Sequence, residues 1–297
     1  KTILSLEDIS WYLMVHHRDV QLICLNLTRE WATTGVILDL QTSRLMLFVK
    51  KLLMMTDWLT CACATHVIPE GQGVLNDLKN GGITKKPMKV LGYGNVKGVD
   101  MERFSPARFV VTKNPNVFTF VFVGRIVSDK GINELVEAFV KLHDKHKNAR
   151  LVLVGNYEHN LDPVSDNTRQ LIDTNNGIEA CGAKYGDDLL QMYVDADCFV
   201  MPSYREGFPN TVLEAGAMGL PSIVTDINGS REIIENEKNG LIVPAKDADA
   251  LYVAMERMLT DTAVRSTMKQ NARQMIESRF EKNFVQSCQI EFYKSIK

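Results

Sequence analysis

The sequence predicts an α/β protein of two domains, the second built on a parallel, doubly wound sheet. Three observations predict it. In the second half, short β-branched and aromatic runs alternate with segments of helical spacing, the pattern of strands joined by crossover helices. Several of these runs stop at a glycine or at a loop that opens a helix: Gly124, Gly155 and the stretch from Ser203 to Glu206. The length, 297 residues, is long for one core and fits two.

The elements follow in order. A strand is expected over 117–123, ending at Gly124, and a helix over 135–146. The next strand, 150–154, ends at Gly155; a helix over 187–194 precedes a strand at 198–201. A helix at 209–218 leads to strands at 222–225 and 241–243, and the chain turns helical from 251. Ligands of such sheets bind beyond the carboxyl ends of the strands, so Arg125, Gly155 and the 203–206 stretch should converge on one crevice. In the first half a helix is expected over 43–55 and short strands at 64–68 and 89–91. Residues 1–35 show no glycine-rich turn after a strand. The stretch from Gly92 to Gly98 has a dinucleotide-loop look, but that fingerprint must open a helix. This one runs into Val99-Asp100 and Pro106, and reads as a hinge. The expected domains are therefore 1–112 with a hinge over 92–112, then 113–279, then a terminal helix over 280–297 carrying Phe284, Phe292 and Tyr293.

Composition excludes several classes. The chain is 45% hydrophobic and 24% charged, an ordinary globular balance. A net charge of −2 implies no nucleic-acid partner. No apolar run approaches the ~18 residues of a membrane span, and Glu7 and Asp8 argue against a signal peptide at the start. Six scattered cysteines fit a reducing compartment, and Cys61 and Cys63 lack the second close pair of a zinc site. Residues 1–112 hold 13 basic and 10 acidic side chains, against 21 and 26 in 113–297. Lys50, Lys51, Lys79, Lys85, Lys86 and Lys89 are thus either a solvated face or a surface for an anionic membrane or lipid diphosphate.

The most informative stretch runs from Glu206 to Glu214, Glu-Gly-Phe-Pro-Asn-Thr-Val-Leu-Glu. Pro209 has a fixed φ and no N–H, which suits a first helical turn. The amides of that turn, around Asn210 and Thr211, make an anion site. A diphosphate there has a carboxylate on either side to accept hydroxyl hydrogen bonds, which is the chemistry of a nucleotide-sugar. Glu214 lies among Val212, Leu213, Ala215 and Met218, where a carboxylate needs partners. Arg125 and Lys130 follow a strand, and cations at a helix start oppose its dipole unless an anion offsets them. The plain alternatives are two solvated cations, an ordinary helix glutamate, and a loop glutamate paired with Arg205.

These segments resemble the retaining family-4 glycosyltransferases of GT-B fold, such as bacterial capsule and O-antigen enzymes. The run Gly124-Arg125-Ile126-Val127-Ser128-Asp129-Lys130-Gly131 is similar to that family's Gly-Arg…Lys-Gly segment. Asn239-Gly240-Leu241 resembles its later strand entry, and Gly98-Val99-Asp100 with Phe104-Ser105-Pro106 its interdomain linker. The resemblance covers about residues 85 to 297 in the family's order. It implies two Rossmann-like domains with parallel sheets, the first shortened here, and truncation is the favoured reason. It implies transfer of a hexose or N-acetylhexosamine from a nucleoside-diphosphate sugar, by default a UDP-sugar, to a glycan or lipid-linked hydroxyl with retention. The implied setting is the cytoplasmic face of the membrane, with peripheral contact. Arg125 and Lys130 would stabilise the leaving diphosphate, Glu214 would hold the ribose and Glu206 the transferred sugar. Gly124, Phe208, Asn210 and Thr211 would line the donor, the last three through backbone amides. No cofactor and no metal are implied. The alternatives are a nucleotide-sugar 2-epimerase-like isomerase and a non-catalytic nucleotide-binding remnant.

Other signals carry less. Asp195-Ala196-Asp197 matches a metal-holding Asp-x-Asp pattern, but it straddles a helix end and a strand start and reads as a terminating turn. Asn95 and Lys97 depart from the family's usual residues in the hinge. His16 and His17 are read as surface residues, and the turn at Asn228-Gly229-Ser230 as a border without an assigned role.

Overall fold

The computed structural model describes residues 12–17, 20–25, 44–158 and 162–296. Contacts divide the chain into two units, 1–98 with 206–208 and 282–297, and 99–205 with 209–281.

In the first unit β1 (Tyr12–His17), β2 (Val20–Leu25) and β3 (His66–Pro69) form a sheet in that order. β2 and β3 are parallel, but β1 runs antiparallel to β2, a departure from the all-parallel expectation. Two residues separate β1 from β2, which permits a hairpin and is far too short for a parallel crossover. Both strands lie where no strand is expected from the sequence. α1 (Arg44–Cys63) is a full turn and more longer than predicted, and α2 (Gln72–Asn80) follows β3. The strand expected at 89–91 is absent: a single bridge pairs Val67 with Met88. Pro87 lacks an N–H there, and Gly92 turns the chain at φ 56°.

Lys86, grouped above with surface lysines, has another role. Its ammonium donates to the carbonyls of Cys61 (2.9 Å), Ala62 (2.7 Å) and Ala64, so it caps the carboxyl end of α1. Lys89 sits 6.0 Å from the Phe292 ring centre. α10 (Lys282–Ser295) brings Cys288, Phe292 and Tyr293, with Ile296 just after it, against Ile68 and Leu91 of the same unit.

The second unit carries six parallel strands in the order β6-β5-β4-β7-β8-β9. They are β4 (Phe118–Val123), β5 (Ala149–Val154), β6 (Ile178–Ala180), β7 (Cys198–Met201), β8 (Ser222–Thr225) and β9 (Gly240–Val243). β4, β7 and β8 are buried along their whole length, as a sheet covered on both faces requires. The crossovers are α3 (Ile132–Lys145), α4 (Asp166–Thr174), α5 (Gly186–Val194), α6 (Asn210–Ala217) and α7 (Ser230–Ile233). α8 (Ala248–Thr260) and α9 (Thr262–Phe280) complete the unit. Side-chain caps start three of these helices: Ser165 for α4, Asp247 for α8 and Asp261 for α9.

Residues 99–112, read from the sequence as hinge, group with this second unit. Val99 donates to the Phe280 carbonyl at 2.8 Å, and the Arg273 guanidinium donates to the carbonyls of Phe104 (2.5 Å), Met101 (2.9 Å) and Ala217. Asp195 and Asp197 fasten the next stretch. Asp195 accepts from the Thr112 amide (2.7 Å) and hydroxyl (2.6 Å), the Lys113 amide (3.2 Å) and Gln191 (2.9 Å). Asp197 accepts from the Thr119 amide at 2.9 Å and pairs with the Lys113 ammonium.

Candidate functional site

The sheet order places a topological switch between β4 and β7. From β4 the chain crosses to β5 and β6 on one side, and from β7 to β8 and β9 on the other. The loops leaving neighbouring strands at such a point part company and open a crevice at their carboxyl ends. The predicted residues leave from those two strands.

After β4 come Gly124 and Arg125, then a 3-10 turn, Ser128–Lys130, and then α3. Gly131 stands between turn and helix with φ 70°, and a Cβ there would lie 2.1 Å from the Pro202 carbonyl oxygen. Only glycine meets both conditions. The close approach joins the β4 loop to the β7 loop, and the Tyr204 amide adds a hydrogen bond to the Asp129 carbonyl at 2.8 Å. Arg205 is 3.4 Å from the Asp129 carboxylate, so its ion pair is with Asp129. Asp129 in turn receives support from Asp162, whose carboxylate accepts the Asp129 amide at 2.6 Å. Burial raises the Asp162 pKa, the neighbouring Asp129 charge adds to that, and Arg205 and Arg125 oppose it.

After β7, Pro209 is the N-cap residue and α6 begins at Asn210, one residue later than predicted. Proline supplies no side-chain cap to that turn. The Thr211 hydroxyl lies 3.5 Å from the Met201 sulfur, tying the first turn to the end of β7. Glu214 is half-buried one turn in, and its carboxylate accepts from the Tyr193 hydroxyl at 3.3 Å. Tyr193 is 0% exposed, and burial first, then the Glu214 charge, hold its pKa well above the ordinary value. The phenol therefore stays a donor and orients the carboxylate. Sequence reasoning missed this partner, although a tyrosine on the inner face of α5 needs one.

Glu206 and Phe208 fall in the short stretch that groups with the first unit. Glu206 is half-buried. Phe208 is 5% exposed, with its ring 2.9 Å from where a Cβ on Gly94 would stand. Its side chain is thus packed, a role that the amide-only reading did not foresee.

The structure also adds a residue. Arg125 is ion-paired with Glu158 at 3.0 Å, just past the end of β5. The expected Asp-x-Asp turn has both carboxylates engaged with backbone amides and side chains of 112–119 and with Gln191, as described above.

Comparison with known proteins identifies the family and the fold. The family model for glycosyl transferases group 1 matches residues 104–275. The capsular polysaccharide biosynthesis glycosyltransferase CapM of Staphylococcus aureus is 28% identical over 230 residues, 75% of this chain and 60% of that protein. The UDP-Gal:alpha-D-GlcNAc-diphosphoundecaprenol alpha-1,3-galactosyltransferase of Escherichia coli is 30% identical over 203 residues, 65% of this chain and 51% of that protein. The chain thus spans little more than half the length of these curated relatives. Among solved structures, Anabaena HepE in complex with UDP and glucose superimposes with a TM-score of 0.71 at 20% identity, covering 83% of this chain and 67% of that one. At that identity the likeness speaks for the fold, which is of the GT-B class. With more than half of its residues matched by the family model, the chain belongs to the glycosyl transferases group 1 family.

Proposed function

We propose that the protein transfers a hexose or N-acetylhexosamine from a nucleoside-diphosphate sugar, UDP-sugars favoured, to a hydroxyl of a lipid-linked glycan, with retention. The observation that carries this reading is the locked pair of loops after β4 and β7. It sets Arg125 and Lys130 on one loop and the first turn of α6, with Glu214, on the other, at the switch point of the sheet. Cations and helix amides suit a diphosphate, and a carboxylate braced by Tyr193 suits a ribose diol.

In the reaction the sugar C1–O bond to the diphosphate breaks, and its electron pair leaves on the phosphate oxygen. Arg125 and Lys130 offset the charge that grows there. The acceptor hydroxyl bonds to C1 on the face the diphosphate is leaving, and its proton passes to the departing phosphate oxygen. Glu206 accepts hydroxyl hydrogen bonds of the sugar and stabilises positive charge on the ring. The undecaprenyl diphosphate in the name of the Escherichia coli relative supports a lipid-linked acceptor and work at the inner membrane face. Among the described residues no helix is long and apolar enough to cross a membrane; the contact we propose is peripheral.

The test is a thermal-shift screen of nucleoside diphosphates and nucleotide-sugars, since a ligand of the folded state raises apparent stability. UDP should protect. Glu214→Ala should weaken UDP binding by about 1–3 kcal/mol, whereas Glu206→Ala should leave UDP binding near wild type and lower turnover. Equal loss of UDP affinity in both variants would show the division of roles to be wrong. Release of free nucleoside diphosphate only when acceptor is added separates transfer from isomerisation and from simple binding.

A further inference from the structure

We infer that Glu158 is the resident counter-ion of Arg125: it holds the guanidinium while no donor is bound and yields it to the incoming diphosphate. The inference rests on the donor-site reading above and adds to it a residue that tunes affinity.

The geometry begins in the backbone. β4 and β5 stay paired beyond their strand ends. The Gly124 amide donates to the Val154 carbonyl at 2.9 Å, the Ile126 amide to the Asn156 carbonyl at 2.9 Å, and Ile126 bridges Tyr157. Gly155 makes this closure possible, because a Cβ there would lie 1.8 Å from the Gly124 carbonyl oxygen. The extension carries Arg125 and Glu158 out side by side, and Nη1 donates to Oε2 at 3.0 Å.

The pair is built to be exchanged. Arg125 is 42% and Glu158 33% exposed, so water competes for both and the bond adds little to stability. A diphosphate offers the same guanidinium more charge and more acceptor oxygens than one carboxylate. Glu158 then remains beside the bound anion as a like charge. It lowers the affinity for the nucleoside diphosphate and favours its release after transfer. Asp162 and Asp129 on the neighbouring loops add negative field of the same sign, while Arg205 pairs with Asp129.

The experiment is calorimetric titration of UDP and of inorganic pyrophosphate into wild type, Glu158→Gln, Arg125→Ala and the double variant. Glutamine keeps the shape and a hydrogen bond and removes only the charge. Glu158→Gln should bind UDP about two- to fivefold more tightly, the range open to an exchangeable surface pair. The gain should shrink when salt is raised from about 0.05 M to about 0.5 M, and be smaller in the Arg125→Ala background, where competition for the guanidinium is gone and only the like-charge repulsion remains. A merely structural Glu158 would give unchanged or weaker binding. If wild type binds UDP and Glu158→Gln binds it no more tightly, the counter-ion role is overturned and the donor site stands. If wild type binds neither UDP nor pyrophosphate, both are overturned.

Discussion

Replacing Asp195 by alanine separates a structural carboxylate from a metal ligand. Its two oxygens accept four hydrogen bonds, from Thr112 twice, Lys113 and Gln191, and so pin the segment entering β4 to the end of α5. A hydrogen bond to a charged group contributes roughly 1.5–3 kcal/mol. The four do not add, because the Thr112 donors are exposed and turn to water once the carboxylate is gone. A net loss of about 2–3 kcal/mol is expected, which for a unit of this size lowers Tm by roughly 4–12 °C. The loss should depend on pH with a definite sign. Burial pushes the Asp195 carboxyl up, but the hydrogen bonds from Thr112, Gln191 and the Thr112 and Lys113 amides outweigh it, and its pKa lies below the ordinary value. A carboxylate with a depressed folded pKa adds stability above its unfolded value of about 3.9 and loses it as pH falls through the folded value. Denaturant unfolding of wild type and Asp195→Ala at pH 7 and near pH 3 reads this out. The gap should be full at pH 7 and narrow near pH 3. An equal gap at both would refute the argument. So would a chelator that lowers wild type to the stability of the variant, since the carboxylate would then be acting through a metal.

Two further outcomes follow from the same geometry. Gly131→Ala should cost about 2–4 kcal/mol, since alanine is strained at φ 70° and its methyl meets the Pro202 carbonyl, and it should weaken UDP binding by shifting Lys130; a variant as stable as wild type in urea would contradict the locked-loop description. UDP should bind as tightly in excess chelator as in magnesium, because Arg125, Lys130 and the α6 amides are proposed to offset its charge; binding abolished by chelator and restored by magnesium or manganese would refute this.

What could be read from the sequence was governed by burial. β7 and β8 appear at their predicted bounds because each has an apolar or β-branched centre and no exposed residue to blur its ends. β6 escaped because only Ile178 of its three residues is buried, so no apolar run exists to see. α4 escaped for a related reason: Thr168 and Ile172 are its buried positions, too few to mark a period among polar neighbours. The helix start at Pro209–Asn210 was legible from proline chemistry, which is local. The Arg125–Glu158 and Tyr193–Glu214 contacts were not, since each joins residues from separate crossovers, and their partnership exists only once β4, β5 and β7 are paired.

The same distinction explains why the two carboxylates of the Glu206–Glu214 stretch differ so much in what supports their roles. Glu214 is held by one folded unit: α6 fixes its height above β7, and Tyr193, sealed in the interior, fixes its orientation. Its environment is set before any ligand arrives, which suits a group that binds a nucleotide the same way throughout a reaction. Glu206 is set in a short stretch that groups with the first unit while its neighbours Arg205 and Pro209 belong to the second. That difference in setting is why the proposed variants test affinity and turnover separately at these two residues.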